Sequence, residues 1–76
     1  MAKAYLKVIV EAGKEKEIKE ALLKVSGIGS VDLTAGEQDI IAVITAGSYE
    51  EILKLVVNSI RPIAGIKSTS TNLVLE

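Results

Sequence analysis

The apolar positions of this chain recur with two different periods, and one stretch obeys neither. In "KAYLKVIV", Lys3 to Val10, β-branched and other apolar residues are broken by two lysines, which reads as a strand. In "KEKEIKEALLKV", Lys14 to Val25, the residues Ile18, Ala21, Leu22 and Val25 recur at i, i+3, i+4 and i+7, the stripe of an amphipathic helix. Glu15 and Glu17 lie in its first turn, where they favour the positive end of the helix dipole, and Gly27 ends it. "SVDLTA", Ser30 to Ala35, alternates, with Val31, Leu33 and Ala35 on one side and Ser30, Asp32 and Thr34 on the other. Gly36 then supplies a turn residue free to take positive φ, and the next strand starts at Asp39, which makes the pair a hairpin. "SYEE", Ser48 to Glu51, is a capping box that opens a second helix running to about Ile60. Pro62 ends that helix, and "GIKSTSTNLVLE", Gly65 to Glu76, is a final strand.

The predicted order is β-α-β-β-α-β, and Gly27-Ile28 and Gly65-Ile66 mark equivalent points in its two halves. This predicts an α+β, ferredoxin-like sandwich: one domain over residues 1–76, a four-stranded antiparallel sheet with both helices on one face. Strands one and three are then central and strands two and four are edges, because only the central candidates are apolar on both faces. The exceptional stretch is Ile40 to Ile44, five apolar residues in a row. Helices cover one of its faces, so the other shows aliphatic side chains to water, either Ile40, Ala42 and Ile44 or Ile41 and Val43. A second subunit is the economical cover, and Ile40, Ala42 and Ile44 are assigned as its contact.

Composition strengthens the expectation of an oligomer. Of 76 residues, 49% are apolar, more than so small a sphere easily hides. The chain has no cysteine and no histidine, so a disulfide framework, a thiolate metal site and the commonest general base are all missing. Neither a metal nor a cofactor is expected. Net charge is −1, the helix lysines alternate with glutamates, and Tyr5 and Tyr49 are the only aromatics, which argues against direct nucleic-acid contact. The longest apolar run falls far short of the roughly 18 residues of a membrane span, so no membrane partner is expected, and a cytoplasmic location is.

Two polar stretches stand apart from the core: "GEQD", Gly36 to Asp39, and "KSTST", Lys67 to Thr71. A carboxylate, free turn amides and a row of hydroxyls suit a small zwitterion: Asp39 pairs an ammonium, while the amides beside Gly36 and the hydroxyls of Ser68, Thr69, Ser70 and Thr71 hold a carboxylate. The same residues also have an ordinary reading, since Asp closes hairpins and Ser and Thr are common on edge strands. No catalytic residue is assigned. Ser-His and Cys-His pairs are impossible here, and Lys7, on a central strand, is the only candidate for the desolvated lysine that a lysine-based site needs.

In "YLKVIVEAGKEKEIKEALLKV", Gly27, "GEQDIIAVI" with its G-x-x-D spacing, and "GIKSTSTNLVL", the chain resembles the C-terminal effector-binding domain of Lrp/AsnC transcription regulators, the RAM domain. The resemblance implies the same fold, dimers packed sheet against sheet, and assembly of dimers into octamers or other rings. It also implies an amino acid or related effector bound where subunits meet. Carried over by position, Gly36 and Asp39 match the turn, with Gln38 beside them also assigned to the ligand site, and Thr69, Ser70 and Thr71 match its hydroxyl-bearing strand. The family often has Pro where this chain has Ser26 and Ala64, an aromatic where it has Gln38, and Thr where it has Ala35. Met1 is followed almost directly by the first strand, so the sequence resembles a stand-alone RAM protein lacking the helix-turn-helix domain. Such a protein influences transcription of amino-acid metabolism indirectly, by co-assembly with full-length relatives. A pure assembly module without ligand, and an enzyme of the dimeric α+β barrel type, are the alternative readings.

Overall fold

Nine residues from Ala2 to Val10 form strand β1, in which Ala2, Ala4, Leu6, Val8 and Val10 are buried while Lys3, Tyr5 and Ile9 are exposed. The computed structural model describes residues 1–75. Helix α1 (Glu15–Leu23), strands β2 (Ile28–Leu33) and β3 (Ile40–Ala46), helix α2 (Tyr49–Leu55) and strand β4 (Ile66–Leu73) follow in the predicted order. The final strand was expected to reach Glu76, which lies outside the described residues. The sheet is antiparallel throughout, in the order β2-β3-β1-β4. β1 and β3 are thus central, as their doubly apolar patterns predict.

Register decides which side chains share a face. Leu6 is opposite Ala42 and Val8 opposite Ile40 on β3, while Leu6 is opposite Thr71 and Val8 opposite Thr69 on β4. This is the helix-covered face, completed by Val31 and by Ile18, Leu22, Ile52, Val56 and Ile60 from the helical layer. The opposite rows, Asp32, Ile41, Lys7, Ser70 and Ser30, Val43, Tyr5, Asn72, lie on the uncovered face.

One sequence assignment is corrected here. Ile40, Ala42 and Ile44 had been placed at a subunit interface, yet all three are 0% exposed beneath the chain's own helices and have no surface to offer. Ile41 and Val43, half-buried, are the β3 residues on the open face. In an unbroken apolar run both alternate sets look alike, so parity is set by the register with β1 and by nothing local.

Each junction has a physical cause. α1 tightens at its end, where Lys24 N–H donates to Ala21 O and Val25 N–H to Leu22 O, and the chain reverses at Gly27 (φ +99°). A Cβ there would stand 3.0 Å from Thr45 O, so both backbone conformation and close approach call for glycine. β2 starts two residues before the predicted Ser30, and Gly29 is passed over as an irregularity between Ile28 and Ser30. Ser48 caps α2, its Oγ accepting from Glu51 N–H at 3.2 Å. Glu51 reaches back one residue further than a simple capping box requires, to Gly47 N–H at 3.1 Å.

The predicted second helix does extend to Ile60, but Val56–Ile60 is a wider π-helical turn in which Arg61 N–H donates to Val56 O at 2.9 Å. In an α-helix every fourth residue overshoots a full turn. The wider turn undershoots, so Ile52, Val56 and Ile60 stay aimed at the sheet, and all three are buried.

Candidate functional site

The connection between β2 and β3 carries the G-x-x-D turn, and its polar atoms are engaged in holding its shape. Thr34 N–H donates to Asp39 O at 2.9 Å, and Thr34 Oγ1 donates to Gln38 O at 2.7 Å. Gly36 takes a positive φ of +148° in open space, so it is the backbone conformation that favours glycine there. Asp39 N–H donates to Val8 O at 3.0 Å, the last bond between this strand and β1. β3 pairs no further, and Val10 N–H on the same side of β1 is left facing the turn. The Asp39 carboxylate fills that vacancy, Oδ2 accepting from Val10 N–H at 2.9 Å. Oδ1 takes no hydrogen bond among the described residues.

The six predicted ligand residues do not converge on one point. Gly36, Gln38 and Asp39 sit together at the hairpin end. Thr69 lies across β1 from that turn, opposite Val8, about 10 Å away by the spacing of two strand intervals. Thr69 and Thr71 are half-buried on the helix-covered side of β4, whereas Ser70 is opposite Lys7 on the open face. Within a single chain they therefore mark one end of the sheet, from both faces.

The open face itself is mixed. Tyr5, Ile9, Ile41 and Val43 are its apolar residues, with Lys7 set among them, between Tyr5 and Ile9 on β1 and opposite Ile41. Lys3, whose ammonium stands 5.3 Å from the Tyr5 ring centroid, Asp32, Ser70 and Asn72 surround them.

Sequence reasoning singled out Lys67 to Thr71 but missed the pocket that Lys67, Ser68 and Thr69 line together with Arg61 at the start of β4. Arg61, Ile66, Lys67, Ser68 and Thr69 line a pocket of about 190 Å3. The available signal was compositional, since Arg61 is the only arginine in the chain.

Comparison with known proteins adds the family. The model of the Lrp/AsnC ligand binding domain matches residues 3–76. The chain belongs to the Lrp/AsnC family. An uncharacterized HTH-type transcriptional regulator of Pyrococcus furiosus is 37% identical over 57 residues, 75% of this chain and 38% of that regulator. This Lrp/AsnC domain thus spans well under half of that curated relative's length. Among solved structures, FFRP-DM1 superposes with a TM-score of 0.93 at 27% identity, covering 99% of this chain and 100% of that one. A transcriptional regulator from Neisseria meningitidis, solved as an L-Met complex, has the same fold, with a TM-score of 0.88 at 17% identity over 99% of this chain and 50% of that one. No described helix of the Lrp/AsnC domain is long and apolar enough to cross a membrane.

Proposed function

We propose that this Lrp/AsnC domain is a non-enzymatic regulatory module. It pairs with a second copy across its open sheet face and binds an amino acid or related small effector where subunits meet, beside Gly36, Gln38 and Asp39. It influences the transcription of amino-acid metabolism indirectly, through assembly with copies of itself or with full-length relatives. The observation that carries this reading is the set of uncovered apolar residues on the sheet, Tyr5, Ile9, Ile41 and Val43, around a single Lys7, in a domain whose helices all lie on the other side. Covering each half-exposed aliphatic there contributes on the order of 1 kcal/mol, and the face supplies several.

The six candidate residues do not form one site within a chain, so this reading calls for further residues from a second copy beside the turn. The L-Met bound to the Neisseria relative supports an amino acid as the ligand class. A ligand that binds the assembled state better than the free one shifts the population toward assembly. The test is a screen of the twenty amino acids at millimolar concentration, reading melting temperature and mass in solution. At least one should raise the melting temperature and shift the mass, and a flat response in both overturns the sensing role.

A pure assembly module is the second reading, and one observation favours it. Two of the turn's acceptors, Asp39 Oδ2 and Gln38 O, already have partners within the chain. The same screen separates the two, because a flat response with an intact oligomer is what assembly alone predicts.

A further inference from the structure

Two backbone irregularities meet at the pocket that begins β4, and each sets one cation beside it. The first is the π-turn. Val56 and Ile60, both buried, pin it to the core, and its closing bond, Arg61 N–H to Val56 O, fixes the backbone from which the Arg61 side chain departs. The second is a bulge. On β1, Ile9 is opposite Ser68 and Val10 opposite Ile66, so Lys67 is the extra residue with no cross-strand partner. Such bulges re-aim a side chain and are over-represented beside functional sites, as are single π-turns. Between the two, Ile63 N–H to Ile60 O, Ile66 N–H to Ile63 O and Glu11 N–H to Gly65 O hold the connecting loop against the core.

The lining is chemically one-sided. Arg61 and Lys67 carry positive charge, Ser68 and Thr69 offer hydroxyls, Ile66 is apolar, and no carboxylate is among these five residues. The ion pairs of the described residues are Lys14 with Glu17 and Lys54 with Glu50, so neither pocket cation is ion-paired among the described residues. Two like charges at one concavity repel unless an anion lies between them. A guanidinium fork, an ammonium and two hydroxyls form the donor set that a tetrahedral or planar oxyanion uses. At about 190 Å3 the pocket is smaller than the roughly 300–1,000 Å3 that holds drug-sized ligands.

We infer that this pocket binds a small, multiply charged oxyanion, a phosphate group or a dicarboxylate, through Arg61 and Lys67. It lies apart from the Gly36–Asp39 turn and shares the Ser68 and Thr69 hydroxyls with the amino-acid reading, but it rests on Arg61 and Lys67, which that reading does not use, so the two glutamine variants test it separately. Because both cations are exposed, binding weakens as ionic strength rises.

The test is a titration of the full chain with inorganic phosphate at fixed ionic strength, followed by amide chemical shifts. Saturating shifts are expected at Arg61 and residues 66–69, with the midpoint raised about tenfold in Arg61→Gln and in Lys67→Gln. A parallel titration with malonate distinguishes the sources: saturation by both anions assigns a general dianion site, and saturation by one alone names its chemistry. Arg61→Lys keeps the charge but not the fork and is expected to bind with intermediate strength. Shifts that never plateau with either anion, or midpoints unchanged in both glutamine variants, overturn the site.

Discussion

At Asp39 one carboxylate answers a structural need and faces a ligand role at the same time. Val10 N–H has no strand partner, and Oδ2 takes its place in the ladder. Asp39→Ala is expected to lower stability by about 1–2 kcal/mol in urea denaturation, the cost of stranding a half-buried donor. Asp39→Asn keeps an acceptor in the same place and is expected to lose less than half as much. It removes the negative charge, so under the effector reading it abolishes the amino-acid-dependent rise in melting temperature while leaving the fold intact. Gly27 is a simpler case. Gly27→Ala places a Cβ 3.0 Å from Thr45 O at a φ of +99°, and a loss of about 1–3 kcal/mol is expected in the same assay.

Elements were legible in the sequence where a period or a cap marks them, and illegible where the backbone departs from regularity. The stripe of Ile18, Ala21, Leu22 and Val25 and the Ser48 cap predict α1 and α2 because packing and capping are local demands. The apolar runs of β1 and β3 predict their central places, because apolar residues on both faces mark strands inside a sheet more than strands at its edge. The π-turn left no such mark. Ile52, Val56 and Ile60 are spaced as an ordinary helix tolerates, and only the Arg61–Val56 bond distinguishes the wider turn. The bulge at Lys67 is equally silent, since it depends on how β4 lies against β1. Arg61 and Lys67 were missed as a pair for that reason. At this scale the caps and core anchors carry measurable weight. Ser48→Ala is expected to cost about 1 kcal/mol. Ile60→Ala, which removes the buried end of the π-turn, is expected to cost about 2–4 kcal/mol in thermal or chemical unfolding.

For the whole molecule, the central claim is that the open face of the sheet is where copies of this Lrp/AsnC domain meet. The sequence called for a covered second face on β3 but assigned it to Ile40, Ala42 and Ile44, which the helices enclose, in place of Ile41 and Val43. The two sets now predict opposite behaviour. A charge at Ile44, 0% exposed, is expected to unfold the chain, whereas a charge at Val43 is expected to leave it folded and separate the copies. Sedimentation equilibrium of the wild-type chain and of Val43→Lys at micromolar concentration, with circular dichroism to verify the variant's fold, tests this most directly. The account predicts a dimer or larger assembly for the wild type and a folded monomer for Val43→Lys. A monomeric wild type, or a folded variant of unchanged mass, contradicts it.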